Sequence, residues 1–360
     1  MPSANEELRD LLISHQIGLQ RLTNQQTQDL LSILARSESQ IRALIRARYG
    51  RLKAGDLGYG TKLRLNQMLT EIHEARRAAI MELYEPLASS LEDFAAYEQG
   101  YLTDTMRKAM PSRIPFDPML ASADLLRSIV RSQPFEGKPL HDHFRALTKR
   151  NGMVARKIKA LVEEGLAMGT SPVSITRRIN HEALKITRSN VQAIVQTSMS
   201  HVTNTMRDGY AQANQDVVKG QQWVGTLDSK ICSICIVRDG HTYGLKHEPL
   251  DGGPPWGAGP GRMHYNDRCT STMVLKSWEE LGIDAKELTG AERASMDGFV
   301  DADTTAEAWV GRQGEQRLVQ MFGPTRAEKL VSGEWSLGQL WSDDGTMYTL
   351  KQLAEDFDLT

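Results

Sequence analysis

The N-terminal part of the chain carries an apolar pattern that is typical of one long helix. Apolar side chains recur at alternating spacings of four and three residues, which places them along one side of an α-helix. We expect Gly50 to end this helix, and Gly18 and the polar stretch 23–27 are two points where it could be interrupted. A continuous helix would extend roughly 65 Å, at about 1.5 Å per residue. The stripe consists of Leu8, Leu12, His15, Leu19, Leu22, Leu30, Ile33, Ile41 and Leu44.

Helical patterns continue through the next part of the chain. One covers residues 62–83, and Pro86 then interrupts it because proline lacks a backbone N–H. The pattern resumes over 87–110, and the proline-rich segment 111–118 cannot form regular helix, so we place a domain boundary there. Further helices are predicted at residues 119–132, 138–168, 172–180 and 186–213.

The pattern changes after Gly220 to short segments that alternate between apolar and polar residues. Such alternation predicts strands at 222–227, 242–245 and 270–275. The intervening stretch 247–263 is rich in glycine and proline, and a loop of this length is uncommon unless something fixes it in place.

These patterns predict a mainly α fold with a small antiparallel β module, an α+β chain in which short helices and turns follow the module. We expect four regions. They are a long-helix N-terminal region at 1–110, a helical middle domain at 111–215, a cysteine–histidine β module at 216–283 that resembles a zinc knuckle, and an irregular, acidic C-terminal tail at 284–360.

Composition narrows the class of protein. With 40% hydrophobic and 24% charged residues, the chain has enough apolar surface to fold and is not expected to be disordered. No run of eighteen apolar residues predicts a membrane span. The N-terminal residues lack the basic start and apolar stretch of a secretory signal. We therefore expect assembly in a cytoplasm and no membrane partner.

Charge is unevenly distributed. Residues 276–360 contain 17 acidic and 8 basic side chains, a net charge of −9, so the preceding part carries +7 of the total of −2. Residues 141–190 hold ten lysines and arginines against four acids. A solvated helix face is the ordinary explanation of such a run, and contact with nucleic-acid phosphates is the alternative. The candidates for that contact are Arg145, Lys149, Arg156, Lys159, Arg177 and Arg178.

The β module carries the strongest chemical signal. Cys232 and Cys235 are separated by two residues, and His264 and Cys269 follow at the other end of the glycine-rich loop. Two thiolates on a tight turn, with an imidazole and a third thiolate, suit tetrahedral zinc. We predict these four residues as ligands of a structural zinc ion, with Asp267 outside the ligand set.

The same cysteine and histidine side chains could instead fill a small β core without binding metal. An odd number of cysteines, three in this chain, argues against a disulfide framework, and no βαβ pattern surrounds the pair to indicate a thioredoxin-like redox site. The sequence contains no GxGxxG, Walker, GxSxG or HExxH motif, and we predict no catalytic residue and no enzymatic activity.

A set of short motifs between residues 130 and 355 gives the chain a resemblance to a known family. The matching segments are 133–137, 191–197, Asn204, 211–214, 220–228, 233–235, 238–240, 254–255, 264–270, 293–298, 302–304, 323–326 and 335–337. Together they resemble the phage Mu F-type head-morphogenesis, or minor capsid, proteins of tailed bacteriophages. Asp267 stands where that family commonly has cysteine.

The resemblance implies a structural minor head protein, present in several copies inside the virion head at the portal vertex. It would contact the portal protein and other head proteins, with packaged DNA as a further contact, and would act in head assembly and in genome packaging and ejection. The alternative is a DNA-binding or zinc-stapled nuclease-like protein. Such a nuclease needs a histidine base, for which His241 is the candidate, and a metal-ligating residue on a following helix.

Overall fold

The computed structural model describes residues 4–52, 59–110, 116–149, 152–277, 279–281, 292–295, 298–301, 304–342 and 345–356. It is 64% helical with a three-stranded antiparallel sheet, which confirms the predicted mainly α fold with a small β module. None of the described helices is long and apolar enough to cross a membrane. Residues 111–115, part of the predicted boundary, lie outside the described residues, as do parts of the C-terminal motifs, among them 296–297 and 302–303.

The helices account for most of the first 213 residues. In chain order they are α1 Ala4–Tyr49, α2 Tyr59–Met81, α3 Tyr84–Ala109, α4 Ala123–Arg131, α5 Leu140–Leu147, α6 Met153–Ala167, α7 Pro172–Ile179, a π-helical turn Asn180–Leu184, and α8 Lys185–Ala213. The short helices that follow are α9 Ser233–Ile236, α10 Ala306–Val310, α11 Glu315–Phe322, α12 Pro324–Val331, a 3-10 turn Leu337–Leu340, and α13 Leu350–Asp356.

Helix α1 runs through the polar stretch without a break. Thr23 and Thr27 are buried one turn apart, so they continue the inward-facing stripe. The Thr27 hydroxyl donates to the Thr23 carbonyl oxygen at 2.8 Å, which satisfies the hydroxyl inside the helix. A helix therefore forms there although the sequence is polar.

The predicted helix 138–168 is instead two helices, α5 and α6. Thr148 ends α5, and Gly152 takes an extended conformation immediately before α6. Asparagine followed by glycine, as at 151–152, is a common helix-breaking pair. The prediction of a single helix was wrong because the apolar residues before and after the break keep the spacing that one continuous helix would also have.

The sheet has the order β2-β1-β3, with both pairs antiparallel. Its strands are β1 Val218–Val224, β2 Thr242–Gly244 and β3 Thr270–Leu275. The first strand begins four residues earlier than predicted, and Gly220 pairs with Gly244 on one side and Val274 on the other. A separate hairpin, β4 Glu292–Ser295 and β5 Gly298–Asp301, follows in the C-terminal region.

The chain forms two compact units, each assembled from separate segments. The first unit comprises Met1–Gln20, Ala95–Leu125 and Ser200–Thr360, and the second comprises Arg21–Phe94 and Leu126–Met199. In the second unit, α1, α2, α6 and α7 contribute to one core that includes Ile45, Ile72 and Leu161.

The first unit contains the sheet and two apolar clusters. One cluster packs Leu8 and Leu12 of α1 against Met273 and Leu275 of β3. The other joins the β module to the C-terminal region. It brings together Trp223, Tyr243, Trp256, Trp309, Phe322, Trp335 and Trp341. The C-terminal region, expected to be irregular, therefore includes short helices whose apolar side chains complete the module's core.

Candidate metal centre

The two closely spaced cysteines lie at the start of the short helix α9. Cys232 has an extended backbone immediately before the helix, and its Sγ accepts a hydrogen bond from the Cys235 N–H at 3.3 Å. The Cys232 carbonyl oxygen accepts from the same N–H at 3.1 Å. This tight turn holds the two sulfurs on one side of the chain.

Cys269 brings the third thiol from the start of β3. The sulfurs of Cys235 and Cys269 and one carboxylate oxygen of Asp267 all lie within 4.8 Å of one another, and all three residues are buried. The Cys235 thiol donates to Asp267 Oδ1 at 3.7 Å. This cluster could hold a metal ion, because thiolates and carboxylates are both metal ligands.

Of the four predicted ligands, this cluster contains Cys235 and Cys269 and does not contain Cys232 or His264. The Nδ1 of His264 lies 2.8 Å from the Tyr265 carbonyl oxygen and donates to it in the tautomer protonated there. That tautomer leaves a lone pair on Nε2, which is buried and has no hydrogen-bond partner of good geometry among the described residues. The ring lies beside the Cys232 thiol. A histidine that donates through one ring nitrogen and offers the other is arranged as metal-binding histidines are.

Asp267 lies inside the cluster, although its predicted place was outside the ligand set. Oδ1 accepts from the Cys269 N–H at 3.0 Å and Oδ2 from the Met263 N–H at 3.1 Å. Both oxygens therefore fix the loop that carries His264 and Cys269. The aspartate orders the site, and it is also close enough to contribute a ligand atom.

The electrostatics of the cluster favour a cation. The Cys235 thiol and the His264 imidazole hold the pKa of Cys232 down to about 5, while burial raises the pKa of Cys269 to about 11. The thiols of Cys232 and Cys269, together with burial, raise the pKa of Cys235, and burial raises that of Asp267. The Cys232 thiol raises the pKa of His264 to about 9. Cys232 and Asp267 both interact with the charge of the imidazole, and a bound cation would stabilise the deprotonated thiols in the same way.

Asn204 ties the site to helix α8, a role that no sequence pattern indicated. Its Nδ2 donates to the Cys269 carbonyl oxygen at 3.3 Å, and its Oδ1 accepts from the Thr270 hydroxyl at 3.0 Å. Gly261, at φ +67, approaches so closely that a Cβ would lie 2.2 Å from Asn204 Nδ2. Asn204 was among the motif residues, but spacing alone gives no indication of this contact.

Several further motif residues form hydrogen bonds within the module or between it and the C-terminal region. Arg268 forms a double hydrogen bond to Asp228 at 2.6 and 2.7 Å. Asp239 accepts from the backbone N–H groups of Gly225 and Ala306, and so joins the end of β1 to the start of α10. Arg238 donates to two backbone carbonyl oxygens, those of residues 234 and 255.

His241, the candidate nuclease base, lies at the edge of the module. Its Nδ1 is 2.9 Å from Asp251 Oδ1, and both side chains are partly exposed. The chain between Gly244 and Thr270 is described throughout and contains only turns, bends and an isolated bridge. The metal-ligating helix that a nuclease of this type requires is therefore missing from that stretch.

The six basic candidates for nucleic-acid contact lie in the second unit, in different surroundings. Arg178 is engaged by Glu164 at 3.0 Å and by Glu182 at 3.3 Å. Arg156 and Arg177 are exposed. Arg145 and Lys149 line one cavity, and Lys159 lines another.

Comparison with models of protein families, with curated proteins and with solved structures finds no match to this chain. The function therefore has to be inferred from the site and the motifs.

Proposed function

We propose that the chain is a structural minor head protein of a tailed bacteriophage, located inside the head at the portal vertex. The observation that carries the proposal is that the motif residues form hydrogen bonds that hold the module together. Asn204, Asp228, Asp239 and Arg268 all hold the module's own framework. Motif residues that hold a framework together are what a structural component requires.

We further propose that Cys232, Cys235, Cys269 and His264 bind one structural zinc ion. Three thiols and an imidazole are a complete tetrahedral ligand set, and a complete set is typical of structural rather than catalytic zinc. The buried Nε2 of His264, lacking a good hydrogen-bond partner among the described residues, supports its role as a ligand. Zinc would hold the α9 turn and the start of β3 together, and Asp267 would fix the connecting loop.

Helix α1, 46 residues long, suits contact with the portal protein and other head proteins, since a helix of that length offers an extended surface. Packaged DNA is a further proposed contact, through the exposed basic side chains of the second unit. Several copies would be present in each virion. The nuclease-like alternative has less support, because His241 lacks a following metal-ligating helix in the stretch described above.

Quantitative mass spectrometry of purified particles, from a phage that encodes the chain, tests this function. We expect a fixed, low number of copies per virion relative to the portal protein. Absence of the chain from purified virions, with the protein found free in infected cells, would contradict it.

Elemental analysis of the full-length protein, purified without added metal, tests the zinc proposal separately. We expect about one equivalent of zinc, as a closed four-ligand site binds one ion. Protein free of zinc, whose thermal stability is unaffected by a chelator, would contradict the metal proposal while leaving the structural role open.

A further inference from the structure

The second unit contains a cleft whose walls are mostly basic. It lies along α2 and α5 and has a volume of about 800 Å³. Among the described residues that line it, Asp142 is the one with an acidic side chain. The basic and imidazole side chains that line it are His73, Arg77, Lys138, His141, Arg145 and Lys149.

The positive charges of this cleft are not balanced within the described part of the chain. Among those residues, no carboxylate lies within ion-pair distance of Arg77, Lys138, Arg145 or Lys149. Cations gathered in one concave surface repel one another and raise the local positive potential. An anionic ligand would reduce this repulsion between the cations.

A smaller cavity of about 230 Å³ adjoins the cleft, since His73 lines both. Arg76 forms part of its wall and is only 3% exposed. Its Nη2 donates to the Leu147 carbonyl oxygen, and its Nε has no hydrogen-bond partner in the described structure. Burial lowers the pKa of Arg76. A buried guanidinium without a carboxylate is costly, and such groups are ordinarily paired.

We propose that this cleft binds phosphate groups, with Arg76 in the smaller cavity and Arg77, Arg145 and Lys149 around the larger one. Phosphate fits the arrangement because a guanidinium can bind two of its oxygens at once. Several separate cations also suit a ligand with more than one negative charge. The phosphates could belong to a nucleic-acid strand or to a free polyphosphate. This inference does not depend on the protein's place in a virion.

The buried position of Arg76 can also be explained by a structural role, and the experiment must distinguish that role from ligand binding. Leu147 is the last residue of α5, and a cation that donates to a terminal carbonyl stabilises the end of a helix. If that were its whole role, loss of the charge would destabilise the unit and leave ligand binding intact.

Isothermal titration calorimetry of the full chain at low ionic strength tests the cleft, with tripolyphosphate in one arm and a short single-stranded DNA in the other. The variant R77Q/K149Q removes two exposed cleft charges. The matched control K62Q/R64Q removes two exposed charges from the same helix, α2, outside both cavities. We expect R77Q/K149Q to weaken binding about tenfold or more, equivalent to about 1.4 kcal/mol, and the control to change it far less.

The proposal is supported if either probe binds and R77Q/K149Q weakens that binding more than the control does. The probe that binds more tightly then identifies the source of the phosphate. Failure of both probes to bind, or equal weakening in the two variants, would overturn the proposal.

Arg76→Met provides a second readout. We expect lost binding with an unchanged or raised melting temperature of the ligand-free protein. A lowered melting temperature with intact binding would show Arg76 to be structural and overturn the site as proposed. If this variant does not fold, the comparison of R77Q/K149Q with K62Q/R64Q still tests the proposed site.

Discussion

Glu98 of α3 and Arg207 of α8 form an ion pair that is almost completely buried. Arg207 Nε donates to Glu98 Oε1 at 3.2 Å, and the side chains of Arg207 and Glu98 are 1% and 0% exposed. The other carboxylate oxygen lies 2.5 Å from His15 Nε2. Arg207 also donates to the Thr270 hydroxyl and, at 3.0 Å, to the Ser271 carbonyl oxygen. The pair thus joins three helices of the first unit to strand β3, close to the candidate metal centre.

Stability in acid should depend on Glu98. Burial raises its pKa, but the hydrogen bond from His15 and the charge of Arg207 outweigh burial, so the pKa of Glu98 lies below its usual value. A lowered folded-state pKa contributes stability above the unfolded pKa of about 4.3, and this stability is lost as pH falls through the folded pKa. We expect Glu98→Gln to lower the free energy of unfolding at neutral pH by about 3–5 kcal/mol, since it leaves Arg207 buried without its partner charge.

Urea denaturation of both proteins at several pH values measures this effect. The difference between wild type and Glu98→Gln should narrow as pH falls from the unfolded pKa of about 4.3 toward the lower folded pKa, because the carboxylate protonates first in the unfolded and then in the folded state. A difference that stays constant down to acidic pH would show that the charge of Glu98 does not stabilise the fold.

The role of Asp239 can be tested by removing its carboxylate. Asp239→Ala removes the carboxylate that accepts hydrogen bonds from the buried N–H groups of Gly225 and Ala306. We expect a loss of roughly 2–6 kcal/mol in the free energy of unfolding, since each of two buried N–H groups loses an acceptor at about 1–3 kcal/mol. Asp216→Ala, at an exposed position, is the matched control and should change stability little. Equal effects in denaturant titrations would contradict the assigned role.

Gly220 and Gly209 should respond oppositely to alanine. A Cβ at Gly220 would lie 2.1 Å from the Tyr243 carbonyl oxygen, so β1 and β2 would have to separate. We expect Gly220→Ala to destabilise the protein by about 1–3 kcal/mol or more. At Gly209, on the exposed side of α8, nothing lies within 4 Å of a Cβ. Gly209→Ala should therefore stabilise by about 0.5–1 kcal/mol, and thermal melts that reverse this order would count against the strand contact.

Substitutions of two histidines distinguish metal binding from catalysis. His264→Ala should lower the zinc content and make the protein sensitive to chelators, because it removes a proposed ligand. His241→Ala, in the same module, should leave the zinc content unchanged. Incubation of wild type with duplex and single-stranded DNA and Mg²⁺, Mn²⁺ or Zn²⁺ should give no cleavage. Cleavage that His241→Ala abolishes would favour the nuclease-like function instead.

Features that depend on local spacing could be predicted from the sequence. The apolar period predicted helix α1 and its end near Gly50, and the alternation after Gly220 predicted three strands. The predicted stripe was partly out of register, because Leu22, Ile33 and Leu44 are half-buried while the adjacent residues 23, 34 and 45 are buried. The spacing of Cys232 and Cys235 predicted that their sulfurs lie together. In each case the information lies within a few residues, where helix and strand periods fix the direction of side chains.

Features that depend on distant segments could not be predicted in the same way. Arg76 and Arg77 lie on α2, far in sequence from the basic run 141–190. Only the packing of α2 beside α5 places Arg77 in one cleft with Arg145 and brings Arg76 to the Leu147 carbonyl oxygen. The contact of Asn204 with the Cys269 carbonyl oxygen likewise spans 65 residues. The sequence left open whether the helix breaks at residues 23–27, because burial of a threonine pair depends on what packs against it.

The order of segments in the two units has a consequence for biosynthesis. All of the second unit has been translated by residue 199, whereas the first unit needs residues 1–20, 95–125 and everything from 200 onward. Leu8 and Leu12 find their partners Met273 and Leu275 only after the ribosome has added more than 260 further residues. The second unit can therefore fold during synthesis, while the cluster around Leu8 and Leu12 has only its α3 members, such as Leu102 and Met106, and still lacks β3. The first unit thus completes its core last, and the start of α1 remains partly uncovered until the sheet forms.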